Sequence, residues 1–164
     1  MIILLQHPWK VLFFVTPIFF CSFALGQTDS LKSVFHTRQD TNAVLAGYEL
    51  GKIYIPTDLD SAYHYFLEAA RLADQLQYTR GKILNYRAIG SVAPRIEKYD
   101  EADFWLRKGL ALIDSLALDP GNKVDFLTNL GVMFYRQGLI GKALEPYIEA
   151  VEICRENELD DRRS

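Results

Sequence analysis

Residues 129–150 read NLGVMFYRQGLIGKALEPYIEA, and their spacing of small and large apolar side chains decides the fold. The stretch contains Leu130-Gly131, then Ala143, a large apolar residue four positions later (Tyr147) and a small residue seven positions later (Ala150). Apolar residues three and four positions apart form one face of an α-helix. Small residues let two helices approach closely, and a large side chain fills the adjoining groove. The stretch therefore predicts two packed helices.

The same pattern occurs twice more upstream, at spacings of 39 to 41 residues. The repeat-core positions are Leu50, Gly51, Ala62, Phe66 and Ala69; Ile89, Gly90, Ala102, Leu106 and Gly109; and Leu130, Gly131, Ala143, Tyr147 and Ala150. A final apolar position closes each unit, at Tyr78, Leu118 and Leu159. One helix pair cannot bury its own apolar face, so neighbouring pairs stack into a continuous core. The sequence predicts an all-α array of antiparallel helix pairs, with repeats at 41–78, 79–118 and 119–159.

Each repeat has a first helix and a second helix. We expect first helices at 41–55, 80–95 and 121–137, and second helices at 58–77, 98–116 and 140–158. Asp40, Asp58 (or Thr57) and Asp119 are typical N-cap residues, and Thr79 precedes the third helix.

Two prolines oppose the helical pattern. Pro94 falls in the last turn of its helix, and Pro146 falls about two turns into the last one. An interior proline costs about 3 kcal/mol unless the helix accommodates a kink. We therefore expect a bend at Pro146.

Residues 1–26 differ in composition from the rest of the chain. They carry one charge, Lys10, followed by an apolar run of 15 residues, Val11–Leu25, and the small-residue site Ala24-Leu25-Gly26. A membrane span needs roughly 20 apolar residues, whereas this run has the anatomy of a secretory signal peptide cleaved before Gln27. The alternative is an uncleaved membrane anchor with its N-terminus in the cytoplasm. Both predict that the remaining chain, beginning with a linker or short helix at 27–40, is exported to the periplasm or the extracellular space.

The charge of the chain argues against a nucleic-acid-binding protein, and its cysteine content argues against a fold held by disulfides. The net charge is −3 with a pI near 5.6, so there is no basic excess to neutralise a nucleic-acid backbone. Of the two cysteines only Cys154 lies outside the signal segment, so the exported chain has no intrachain disulfide. Its fold must be stabilised by packing, and Cys154 is expected to be a small buried apolar residue.

The repeated register resembles the tetratricopeptide repeat. Tyr99-Asp100-Glu101-Ala102 resembles that family's turn between helices, and residues 130–134 (LGVMF) resemble its first-helix core. The resemblance covers about residues 41–160, although Ala93 replaces the usual aromatic residue and the period is about 40 rather than 34 residues. With the DSL opening at 29–31 and the YTRG linker at 78–81, the longer period is similar to exported repeat regions of bacterial sensor histidine kinases and related regulators. The resemblance implies a right-handed superhelical α-solenoid.

Catalytic and metal-binding patterns are absent from the sequence. It contains no G-x-S-x-G, P-loop, G-x-G-x-x-G or H-E-x-x-H motif. His64 has no second ligand four residues on, and the acidic residues at 58–60 and 100–103 lie where second helices begin and complement the helix dipole. We therefore expect no cofactor, no metal and no enzymatic activity.

In tetratricopeptide arrays the first helices line a concave groove that holds a peptide or partner helix. The residues of that face outside the core pattern are Tyr48, Lys52, Arg87, Ser91, Arg95, Thr128, Val132, Tyr135 and Arg136. Four of the nine are basic, which favours an acidic segment as ligand. The alternative is that they form ion pairs with Glu49 and Asp125 on the same face, and the sequence leaves both open.

The sequence thus predicts a non-catalytic exported module that binds a protein or peptide. The alternative is the sensory, extracytoplasmic fragment of a signalling histidine kinase or transcriptional regulator without its transmitter domain, since residues 160–164 resemble a linker into a fourth repeat. No capping helix follows, although terminal caps usually protect such arrays. We therefore expect a partly exposed face at Tyr147, Val151 and Cys154 that drives self-association.

Overall fold

The computed structural model describes residues 27–157, and every regular element in that range is helical. The elements are α1 (27–37), α2 (Thr41–Tyr54), α3 (Leu59–Gln75), α4 (Thr79–Val92), a 3₁₀ turn (Ala93–Ile96), α5 (Tyr99–Leu116), α6 (Pro120–Arg136) and α7 (Ile140–Glu156). The all-α prediction is confirmed for this part of the chain. The predicted signal peptide at 1–26, the closing Leu159 and the linker at 160–164 lie outside the described residues.

The six helices from α2 to α7 correspond to the predicted first and second helices, and the main difference is at Pro94. The first helix of the second repeat, expected to continue to 95, ends as an α-helix at Val92 and continues as the 3₁₀ turn Ala93–Ile96. Proline has no N–H, so Pro94 cannot donate the next α-helical hydrogen bond. The turn ends at Glu97, whose backbone is left-handed with φ of 61°.

Three aspartates cap helices as expected. The Asp40 carboxylate accepts hydrogen bonds from the amides of Asn42 and Ala43, at 2.9 and 3.1 Å. Asp58 rather than Thr57 caps α3, accepting from the Ser61 amide at 3.0 Å and from its hydroxyl at 2.6 Å. These bonds from Ser61 hold the pKa of Asp58 below its usual value. Asp119 accepts from the Gly121 amide at 2.6 Å.

Two other local expectations concern the start of α4 at Thr79 and a bend of α7 at Pro146. Thr79 is the first residue of α4 and is preceded by Tyr78, which makes no side-chain cap bond. Pro146 is buried within α7, which is helical from Ile140 to Glu156. The bend expected there stays a prediction.

The two helices of each repeat pack through the predicted pairing of a small with a large residue. Gly51 lies against Phe66, Gly90 against Leu106 and Gly131 against Tyr147. A Cβ atom added at Gly131 would lie 2.7 Å from the Tyr147 ring. All fifteen repeat-core residues are buried except Tyr147, which is half-buried. The small residues therefore set how closely the two helices approach.

Each helix from α2 onward packs against the next, and α4 also contacts α2 and α6. The largest apolar cluster extends from α3 to α6 and includes Phe66, Tyr86, Trp105 and Phe126. A smaller cluster joins α1 to α2 and α3 through Phe35, Leu50 and Ala69. The contacts of α4 bring the first helices of all three repeats together, and this arrangement positions the candidate site.

Candidate binding groove

The first helices α2, α4 and α6 enclose an open cavity of about 420 Å³. Its apolar lining consists of Ile55, Phe66, Leu84, Ala88 and Val92. Its polar and aromatic lining consists of Tyr48, Lys52, Arg87, Ser91, Asp125, Thr128 and Asn129. The volume is in the range of small-ligand pockets and is sufficient for one or two side chains of a bound peptide.

Five of the nine predicted groove residues line this cavity, namely Tyr48, Lys52, Arg87, Ser91 and Thr128. The structure does not place the other four there. Arg95 is exposed in the 3₁₀ turn after α4. Val132, Tyr135 and Arg136 are exposed on the C-terminal half of α6.

The basic residues of the cavity are paired with carboxylates. Lys52 donates to Glu49 at 2.9 Å, and this hydrogen bond raises the pKa of Lys52. Arg87 on α4 forms an ion pair with Asp125 on α6. The alternative of ion pairing on the same face is therefore realised at these two positions. Within residues 27–157 no ion pair involves Arg95 or Arg136.

The chemistry of the cavity suits binding. Its apolar lining continues into the aromatic contact of Tyr48 with Phe66, whose ring centroids are 5.8 Å apart, and Lys52 Nζ is 5.4 Å from the Tyr48 ring. Hydroxyl, amide and charged groups surround this lining, so it presents hydrogen-bond donors and acceptors beside an apolar surface. The described lining includes no histidine or cysteine.

A polar cluster that the sequence did not indicate joins α3, α4 and α5. The Asp74 carboxylate accepts hydrogen bonds from the Tyr86 hydroxyl and from Lys108 Nζ, the latter at 2.6 Å, and Lys82 Nζ is 3.8 Å away. Lys108 Nζ also lies 4.7 Å from the Trp105 ring centroid. Burial and the hydrogen bond to Asp74 raise the pKa of Tyr86. The cluster links three helices and shares no residue with the cavity.

The last helix has an exposed apolar face that includes one residue of the predicted face, Val151, and extends beyond it. Tyr147, which packs against Gly131, is half-buried and Val151 is 55% exposed, so the predicted face is partly exposed as expected. Cys154 is also half-buried, whereas the sequence predicted it to be buried. The exposed row consists of Ile140, Leu144, Ile148 and Val151.

The other polar residues singled out in the sequence have local structural contacts. His64 lies 3.2 Å from Glu68, and Arg107 donates to Asp103 at 2.9 Å. Among residues 27–157 no group of three or more His, Cys, Asp or Glu side chains could hold a metal ion. No helix in the same range is long and apolar enough to cross a membrane.

Comparison with protein-family models, with curated proteins and with solved structures finds no match to this chain. The tetratricopeptide-repeat assignment stays a prediction, based on the repeated residues.

Proposed function

We propose that the protein is a non-catalytic, exported binding module, a tetratricopeptide-like α-solenoid whose first helices hold an extended peptide segment of a partner protein. The observation that supports this most is the common cavity, because α2, α4 and α6 belong to three different repeats and all contribute side chains to it. A surface assembled from successive repeats is what an extended ligand needs. Export rests on the signal-like residues 1–26.

The cavity lining suggests how a peptide binds. An apolar side chain of the peptide enters between Phe66 and Ala88, where it removes apolar surface from water. Ser91 on α4 and Thr128 on α6 bond its main-chain groups. The bound segment then crosses from one first helix to the next.

The charges around the cavity favour acidic residues next to that apolar anchor. Lys52 of α2 and Arg87 of α4 line the cavity, whereas Arg95 and Arg136 lie outside it. A peptide carboxylate competes with Glu49 for Lys52 and with Asp125 for Arg87. Opposite charge mainly accelerates encounter, so the acidic preference weakens as salt is added.

Peptide selection tests this proposal. A library of random dodecapeptides is selected on the purified chain, and the enriched peptides are measured by fluorescence polarisation against two matched variants. Ser91→Trp places a large ring at the cavity, whereas Ser115→Trp places it at an exposed serine of α5 outside the cavity. We expect Ser91→Trp to weaken binding at least tenfold and Ser115→Trp to leave it unchanged. Equal binding by both variants would contradict the groove assignment.

A further inference from the structure

The cavity-lining face of α4 continues past the cavity to Arg95. Ala88 and Ser91 line the cavity, and Arg95 lies seven residues after Ala88, a spacing of two helical turns. Allowing for the 3₁₀ turn that contains it, Arg95 stays within about 40° of Ala88 around the helix axis. It lies about 10 Å further along that axis. Arg95 is exposed, so a ligand that extends out of the cavity can contact it.

Arg136 occupies the same position on α6. Asn129 lines the cavity, and Arg136 follows it by seven residues on the same helix face. Arg95 and Arg136 are 41 residues apart, which is also the spacing between Gly90 and Gly131 in the repeated register. Arg136 is exposed as well. The two arginines are therefore equivalent residues of successive repeats.

The two arginines lie on neighbouring helices at one end of the cavity. Helices α4 and α6 are in contact, and packed helices lie about 8–10 Å apart. Both residues come at the C-terminal end of their first-helix segment. The equivalent residue of the first repeat is Pro56, so the basic pair belongs to the second and third repeats.

Neither arginine has a carboxylate partner in the described chain. Within residues 27–157 no ion pair involves Arg95, Arg136 or Glu97, the acidic residue closest to Arg95 in the sequence. The two basic residues that line the cavity differ, because each already pairs with a carboxylate. A ligand carboxylate therefore binds Arg95 or Arg136 without displacing a partner.

From their equivalent positions, their exposure and their missing partners, we infer that Arg95 and Arg136 form a second subsite of the groove, which binds two acidic residues of the same peptide. A guanidinium group holds a carboxylate through two parallel hydrogen bonds. The inference rests on the proposed function, because the apolar anchor of the peptide has to occupy the cavity.

The geometry also gives the spacing of the ligand residues. An extended chain advances about 3.3 Å per residue, so about three residues cover the distance from Ala88 to Arg95. About three more cover the distance between packed helices, from Arg95 to Arg136. The ligand is thus a segment with one apolar anchor and two Asp or Glu residues, about three and six positions from it.

Fluorescence polarisation with the dodecapeptides enriched on the purified chain tests this subsite. Arg95→Gln combined with Arg136→Gln removes both guanidinium groups. The matched control, Arg71→Gln with Arg80→Gln, removes two exposed arginines that do not line the cavity. We expect about tenfold weaker binding by the first variant, from the loss of two exposed ion pairs, and less than about a twofold change in the control. The difference should shrink as salt is added.

Peptides with Gln for each Glu and Asn for each Asp complete a double-mutant cycle. They should bind the unaltered chain about tenfold more weakly and lose little more in the variant that lacks Arg95 and Arg136. Equal effects of the two arginine variants would overturn the inference. Enriched peptides without acidic residues two to seven positions from the anchor would also overturn it.

Two further measurements separate this inference from the alternatives. If Ser91→Trp weakens binding and loss of the two arginines does not, the groove assignment stands and the second subsite is wrong. If Ser91→Trp has no effect, the groove assignment itself fails. Sedimentation equilibrium of the chain without peptide tests a second copy as the occupant. A mass above that of one chain, lowered by loss of Arg95 and Arg136, would assign the arginines to self-association and overturn the inference.

Discussion

Gly90 on α4 lies directly against the side chain of Leu106 on α5, and no room for a β-carbon remains between them. The same relationship joins Gly51 to Phe66 and Gly131 to Tyr147. The repeated spacing in the sequence therefore corresponds to one physical contact, made once in each helix pair.

The first prediction concerns this contact. Gly90→Ala is expected to destabilise the fold by about 1–3 kcal/mol through overpacking, more than the gain of about 1 kcal/mol that alanine brings to a helix. Urea unfolding followed by circular dichroism measures the change.

Gly141→Ala is the matched control. A β-carbon at this helical glycine of α7 meets nothing within 4 Å, so stability should stay constant or rise. Equal effects of the two substitutions would show that the approach of α4 and α5 is not limited by Gly90.

The second prediction concerns the Asp74 cluster and pH. Because the pKa of Tyr86 is raised in the folded chain, the folded state holds the phenolic proton where the unfolded state has lost it. The associated stability is present below about pH 10, the ordinary tyrosine value, and is lost as the pH rises above it. Denaturant unfolding between pH 8 and 11 should show this loss.

Tyr86→Phe provides the comparison. It removes the hydrogen bond to Asp74 and should cost about 1.5–3 kcal/mol at pH 8, as expected for a bond to a charged group. The variant should also lose stability less steeply above pH 10. An unchanged alkaline slope would mean that Tyr86 is not the titrating group.

The third prediction concerns the ion pair in the cavity. Asp125→Asn removes the carboxylate that pairs with Arg87, so Arg87 becomes available to a ligand. Exposed ion pairs contribute about 0.2–1 kcal/mol, and an acidic peptide should therefore bind up to about fivefold more tightly. Fluorescence polarisation at low and high salt measures this change.

Asp103→Asn is the control for that experiment, because Asp103 pairs with Arg107 on α5 and does not line the cavity. Both variants remove one negative charge. If they raise the affinity equally, net charge rather than the release of Arg87 is responsible.

The fourth prediction concerns the closure of the N-terminal end by α1. Phe35 is buried and touches the position where a β-carbon of Gly47 would lie, so Phe35→Ala leaves a cavity. The expected loss is about 3–5 kcal/mol. His36→Ala, at the next and exposed position, should change stability by less than about 0.5 kcal/mol. A negligible loss from Phe35→Ala would show that α1 does not stabilise the array.

The helices were predictable because their signals are local and repeated. The small and large core residues recur at a nearly constant spacing. Asp40, Asp58 and Asp119 each cap a helix by accepting a hydrogen bond from an amide two or three residues further along the chain. The 3₁₀ turn at Pro94 was missed because the apolar pattern continues past the proline.

The side-chain contacts between helices were harder to predict from the sequence. Tyr86 and Lys108 are 12 and 34 residues from Asp74, and no helical period connects such distances. Arg87 and Asp125 could be placed on one groove face, yet their pairing across 38 residues was only one of two alternatives. On α7, the sequence indicated the partly exposed face at Tyr147, Val151 and Cys154 but not the more exposed positions Ile140, Leu144 and Ile148.

Hydrogen exchange with a selected dodecapeptide tests the central claim most directly. Binding in the groove predicts slower amide exchange in the parts of α2, α4 and α6 that line the cavity, at saturating peptide. Exchange in α3 and α5 should change little. The same peptide should produce no protection in Ser91→Trp. Protection confined to the second helices, or protection that persists in Ser91→Trp, would contradict the account.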